Sequence, residues 1–309
     1  MHPAFSIILF TVVSGMGYGT LIFSAIIALL NNDSSSQFAN TLLTSTSLGL
    51  LCVALGLVSS TLHLANPKNA WRAFFRFRSS WLSREGVFAL LSFPIALLFI
   101  ASFYFANSNE LLQDLAAISL IAISLVTIYS TGMIYACLKT IRAWNSPLVP
   151  CNYILIGLLS GSLATLAIFS FLNGQSNISV DALFVLPIMV LISKVIYYYF
   201  IGKPSGLTIK TATGLSAKKV RLLHSGESAK NFSMREFGFE VSPKKVLALR
   251  FISLVLMALV PLYSIYSHGP SFGVLLTSTV ACFLGVVCER WLFFAEAKHV
   301  VNLYYGREA

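Results

Sequence analysis

Acidic residues are scarce in this chain, and charge of either sign is thin. Of 309 residues only 11 are Asp or Glu against 21 Lys or Arg, and charged residues make up 10% of the whole. Soluble domains carry roughly 25%, so a mean hydropathy of +0.80 beside 57% hydrophobic residues excludes a soluble globular protein and a disordered one alike. The five cysteines, Cys52, Cys137, Cys151, Cys282 and Cys288, are an odd set lying in or beside apolar runs with no Cys-x-x-Cys spacing. That pattern excludes a disulfide framework and zinc or iron-sulfur ligation, leaving them as small core residues. Histidines are few, and His2, His63, His268 and His299 fall at the ends of apolar runs, so no buried facing pair is available to hold a transmembrane b-type haem. A phosphate-binding loop, a nucleophile elbow and a metalloprotease helix are missing as well.

What is present is a series of long apolar runs. They cover about residues 4–30, 41–62, 85–106, 112–138, 150–172, 182–201, 246–267 and 272–295. Each suffices for a bilayer-crossing helix, and helices are the form that satisfies its own backbone in lipid. The first run has no basic leader and no small-residue cleavage site after it, so it is expected to be a retained span rather than a signal peptide. An all-α integral membrane protein of eight transmembrane helices is therefore expected, a single anchor domain over 1–309. Gly15-x-x-x-Gly19 and Gly157-x-x-x-Gly161 allow close helix approach. Their equivalent places in the first and fifth runs allow a duplicated unit of two four-helix bundles.

The formal charge of +10 would suggest nucleic acid in a soluble protein. Here the cations occupy alternate connections. Residues 31–40, 107–110, 173–181 and 268–271 contain no Lys or Arg, whereas the others carry Lys68, Arg72, Arg76, Arg78 and Arg84, then Lys139 and Arg142, then nine cations from Lys203 to Lys245. Lys298 and Arg307 follow the last run. The positive-inside rule then places both termini and every basic connection in the cytoplasm. The longest of these, 202–245, reads as a basic polar surface loop.

Ionisable groups at the edges of the spans are the candidates for function. His63 closes the second run and Glu85 opens the third, with the cationic, aromatic stretch 66–84 between them. Arg250, Glu289 and Arg290 lie toward the same side, and Lys194 stands apart. An imidazole and a carboxylate near one interface suit the exchange of protons with a quinone headgroup. The plainer alternative is that His63 caps a helix and Glu85 pairs with Arg84 or another loop arginine.

Several motifs taken together resemble one family. His63-Leu-x-x-Pro67-x-x-Ala70, Trp81-Leu-Ser-Arg84-Glu85 and the opening His2-Pro-Ala-Phe-Ser resemble the membrane anchor subunit of dimethyl sulfoxide reductase, a group that includes the anchor of cytoplasmic sulfite dehydrogenase. Tyr135-Ala-x-Leu-Lys139, Ala143-Trp144-x-x-Pro147-Leu148 and Glu289-Arg290 through His299 extend the likeness across nearly the whole chain. The resemblance implies a multi-pass protein of the bacterial plasma membrane that binds quinol or quinone, menaquinone or ubiquinone, without a covalent cofactor. It implies as partners an iron-sulfur subunit and a molybdopterin catalytic subunit. The family's quinol-linked histidine and glutamate fall on His63 and Glu85, with His2, Arg84 and Arg290 expected beside them. Arg72, Arg76, Arg78 and Trp81 are expected to dock the iron-sulfur partner. Two other classes stay open: a secondary transporter using Lys194, and a passive anchor with no quinone site.

Overall fold

The computed structural model describes residues 3–31, 35–62, 66–105, 109–173, 181–203, 206–216, 220–224 and 231–307. Among them eight helices are long and apolar enough to cross a membrane. These are α1 (Phe5–Leu30), α2 (Ser36–Thr61), α3 (Trp81–Phe105), α4 (Glu110–Ala136), α5 (Leu148–Asn173), α6 (Asp181–Gly202), α7 (Pro243–His268) and α8 (Phe272–Ala295). No strand occurs among the described residues. Polar caps set several starts: the Ser35 hydroxyl accepts from the Phe38 N–H and the Asn109 side chain from the Leu112 N–H.

One start differs from the sequence expectation. The apolar run suggests that the third span opens at Glu85, but α3 begins at Trp81 because the Ser80 hydroxyl accepts from the Ser83 N–H (3.4 Å) and its carbonyl from the Arg84 N–H (3.1 Å). Glu85 thereby sits a full turn inside the helix rather than at its tip.

The helix ends sort into two faces. At the face with few charges, Gln37 donates to the Leu172 carbonyl (3.2 Å), Thr41 to Asn173 Oδ1 (2.8 Å), and Phe171 packs on Phe272. At the basic face, Ser59 donates to the Ser6 carbonyl (2.9 Å), Arg142 to the Lys203 carbonyl (2.5 Å), and Ile141 pairs with His299 in a short antiparallel bridge. The alternation of basic connections with connections that lack Lys and Arg is thus a real two-sidedness of the molecule.

Around the bundle the exposed side chains are apolar. Leu55, Leu97, Leu98, Ile118, Ile192 and Leu276 all face outward. Lipid solvates such residues as well as another helix does, so association rests on close packing instead. The tightest crossing is α1 against α5, where Gly19 meets the backbone of Gly157 and Gly161. Helix adjacency repeats between the halves: α1 packs on α2 and α4 as α5 packs on α6 and α8, and α3 pairs with α4 as α7 pairs with α8. The glycine motifs therefore meet each other where two four-helix bundles join.

Between α6 and α7 the described residues form short helices at Ile209–Thr213 and Phe232–Phe237. The second part is not a free polar loop. Phe237 stacks on His299 (4.5 Å), Phe239 meets Trp291, and Arg307 donates to the Gly238 carbonyl (2.7 Å), because the apolar rings need a partner outside the bilayer.

Candidate functional site

Glu85 points inward from α3 and is 5% exposed. Its Oε1 accepts a hydrogen bond from Thr131 Oγ1 on α4 at 2.5 Å, and among the described residues it has no ion-pair partner. Arg84, one residue earlier, points the other way. Its Nε donates to the Phe77 carbonyl (3.0 Å) and Nη2 to the Arg78 carbonyl (2.8 Å), while its guanidinium lies 4.2 Å from the centre of the Trp81 ring. The suggested Glu85–Arg84 pair is therefore absent, since adjacent residues on a helix diverge by about 100°.

Thr131 is also part of the wall of a small cavity between α1, α4, α5 and α8, with a volume of about 20 Å³. Tyr18 of α1, Tyr153 of α5 and Arg290 of α8 share its polar lining with Thr11, Ser14 and Ser160. The Tyr18 and Tyr153 hydroxyls are buried and make no hydrogen bond of good geometry. Tyr18 lies beside Ser92 and Thr127, and Tyr153 beside Arg290, so the two hydroxyls extend a polar layer from the cavity toward α3 and α8.

Arg290 is held from two sides. Its guanidinium carbon lies 3.7 Å from the centre of the Tyr153 ring, and Nε pairs with Glu289 Oε2 at 3.1 Å. The other oxygen of Glu289 pairs with Lys194 Nζ at 2.5 Å. Lys194 and Glu289 are each 1% exposed and Arg290 is 2%. Sequence alone sets Lys194 apart from the charges gathered near one side; α6 in fact carries it to Glu289, within the basic-side half of the bundle. Two cations around one carboxylate leave this cluster a net +1.

An aromatic plate closes the polar layer toward the basic face. Tyr135 is surrounded by Trp144, Tyr153, Phe293 and Phe294 at centroid distances of 5.1 to 5.9 Å. The plate is pinned by Trp144 Nε1 donating to the Phe293 carbonyl (2.9 Å). Outside it, Arg250 pairs with Glu296 (2.8 Å), whose carboxyl burial pushes up against the pull of that arginine. His299 lies there too, accepting from the Val301 N–H, and burial lowers its affinity for a proton.

Of the residues singled out from sequence, the structure places Arg290 in the wall of the cavity and Glu85 behind that wall, bonded to the lining Thr131. Arg84 lies outside it. Arg72 and Arg76 belong to the 3₁₀ segment Pro67–Arg76 on the basic face, while Arg78 and Trp81 turn toward the outer surface of α3. His2 and His63 lie outside the described residues. Tyr18, Thr131 and Tyr153 escaped sequence reasoning because Thr and Tyr are ordinary in membrane helices. The available signal was position: Thr131 falls four residues before Tyr135, and Tyr153 four before Gly157, on faces that other motifs already turn inward.

Two comparisons bear on this arrangement. Residues 1–306 match the model of a family described as DMSO reductase anchor subunit (DmsC). A sulfite dehydrogenase subunit of Allochromatium vinosum is 29% identical over 328 aligned positions, which span 99% of each chain.

Proposed function

Because the chain belongs to the DMSO reductase anchor subunit family and so anchors an oxidoreductase complex in the membrane, we propose that it is also the quinol- and quinone-binding subunit of that complex. The observation that carries the reading is the buried hydrogen bond between Glu85 and Thr131, the latter in the wall of a cavity that Tyr18, Tyr153 and Arg290 also line. Quinol oxidation yields two electrons and two protons, and quinone reduction consumes them. A headgroup therefore needs a hydrogen-bonding wall with a group able to exchange protons. Glu85 is that group, with Thr131 fixing its carboxyl. Arg290, immobilised by Glu289 and Tyr153, offers guanidinium N–H groups from the cavity wall supplied by α8, and the plate around Tyr135 keeps bulk water off that side. Lys194 is committed to Glu289, which argues against a transporter in which it would bind cargo.

By the positive-inside rule the basic face is cytoplasmic. There an iron-sulfur subunit, serving a molybdopterin catalytic subunit, exchanges electrons with the site, and Arg72 and Arg76 are its proposed docking cations. His63, which follows α2 by two residues, belongs to the same proposal. Cys137 is exposed at the basic end of α4 and supplies a natural probe of orientation. In intact spheroplasts a membrane-impermeant maleimide is expected to spare Cys137 and to react with a cysteine placed at Ser35. Labelling in the opposite sense would overturn both the orientation and the docking face.

Glu85→Gln keeps the shape and removes the titratable group. In the assembled complex, quinol-linked turnover is expected to fall on the order of 10- to 100-fold, as for a lost charged hydrogen bond of about 1.5 to 3 kcal/mol. Turnover with a soluble dye should persist, and affinity for a quinol-site inhibitor should drop. A variant that assembles with normal quinol-linked rates and inhibitor binding makes this chain a passive anchor.

A further inference from the structure

An open groove lies away from the cavity at Thr131, on the outer surface between the basic-side ends of α3 and α4. It is lined by Phe77, Arg78, Trp81, Arg84, Phe88, Val126, Tyr129 and Ser130 and has a volume of about 520 Å³. Its floor is almost wholly apolar. Phe77 packs edge-on against Phe88 (5.6 Å) and Trp81 against Tyr129 (5.8 Å). Val126 and Tyr129 belong to the exposed apolar belt of α4, so the groove opens toward the bilayer rather than toward another helix.

Cations stand only at the end near the basic face. Arg84 is fixed by its two bonds to the Phe77 and Arg78 carbonyls and by the Trp81 ring, and neither Arg78 nor Arg84 has an acidic partner among the described residues. No Asp or Glu occurs anywhere in residues 66–84. A rigid arginine with unneutralised charge, above an apolar trough at the membrane boundary, matches a molecule with an anionic head and a long hydrocarbon tail.

We propose that this groove is a binding site for an anionic phospholipid. The phosphate is held by Arg78 and Arg84, and an acyl chain lies along Trp81, Phe88, Val126 and Tyr129. The site depends on the membrane and not on the quinone reading: it uses the outer face of α3, whereas Glu85 uses the inner one. It also separates the cations of the 66–84 stretch by role, with Arg78 and Arg84 turned to lipid and Arg72 and Arg76 left for a protein partner.

The test uses the whole complex in nanodiscs of phosphatidylcholine containing a minor fraction of phosphatidylglycerol, followed by native mass spectrometry of the released protein. Wild type is expected to retain phosphatidylglycerol in preference to phosphatidylcholine. Arg78→Gln should lower that preference about fivefold, the effect expected of one arginine near an anionic head group. Since Arg84 also braces the backbone, the groove itself is tested by Val126→Trp, which fills the trough and should abolish retention while leaving Arg78 in place. Equal retention of the two lipids by wild type, or an undiminished preference in both variants, overturns the proposal. Loss of copurifying quinone in Val126→Trp, with the lipid preference intact, would assign the groove to quinone instead.

Discussion

Glu289→Gln is expected to be the most damaging single change in the buried polar layer and to prevent recovery of an assembled complex. Glu289 is shared by Lys194 at 2.5 Å and Arg290 at 3.1 Å, and all three side chains are withdrawn from solvent. Removing the carboxylate leaves two cations facing each other with nothing between them. Breaking a buried pair by deleting one partner costs about 3 to 5 kcal/mol because the survivor keeps its desolvation penalty, and here there are two survivors. Lys194→Met should do less harm, since Glu289 and Arg290 remain as a neutral pair. The double variant should then be better folded than Glu289→Gln alone, although it carries one more substitution. Thermal melts of the purified complexes, with yield after detergent extraction, read this directly. If Lys194→Met proves as damaging as Glu289→Gln, or if the double variant is the worst of the three, the cluster is not held together by charge.

That ordering is invisible in the sequence. The spans themselves were legible, because about twenty apolar residues between polar connections have one stable form in a bilayer, and the arrangement of cations marked a basic face. Depth and direction were not. Lys194 reads as an isolated intramembrane charge, and only the packing of α6 on α5 and of the α7–α8 pair beside it puts its ammonium on Glu289. Glu85 shows the complementary difficulty. Hydropathy marks where apolar residues begin, but the Ser80 cap starts α3 earlier, and that extra turn separates a buried Glu85 from an Arg84 on the outer surface.

The site was legible in part for the same reason. A charged residue in a membrane segment announces itself, so Glu85 and Arg290 stand out. A hydroxyl does not, because Ser and Thr in such helices mostly bond to their own backbone, as Thr131 also does to the Thr127 carbonyl (3.1 Å). What distinguishes Tyr18 and Tyr153 is that both line one cavity with buried hydroxyls, a property of the folded arrangement alone.

Gly19→Ala is expected to disrupt the joint between the two halves, whereas Gly15→Ala, in the same Gly-x-x-x-Gly motif, should leave that joint intact. A methyl on Gly19 would overlap the Gly157 carbonyl oxygen, approach its carbon to 2.8 Å and reach the Gly161 Cα at 3.0 Å. Those atoms are backbone and cannot rotate away, so α1 and α5 must separate. Gly15 faces open space, with nothing within 4 Å of the same methyl. Overpacking commonly costs about 1 to 3 kcal/mol, and the rigid neighbours put Gly19 at the upper end or beyond. Gly161→Ala should match it, because its methyl would meet the Gly19 and Thr20 backbone. The consequence reaches the site, since Tyr18 precedes Gly19 on α1 and Tyr153 lies two turns before Gly161 on α5, on facing walls of one cavity. Melting temperatures of the complex should fall in Gly19→Ala and Gly161→Ala, with inhibitor binding weakened in whatever fraction assembles. Equal behaviour of Gly15→Ala and Gly19→Ala would mean that the crossing does not depend on the close approach at Gly19.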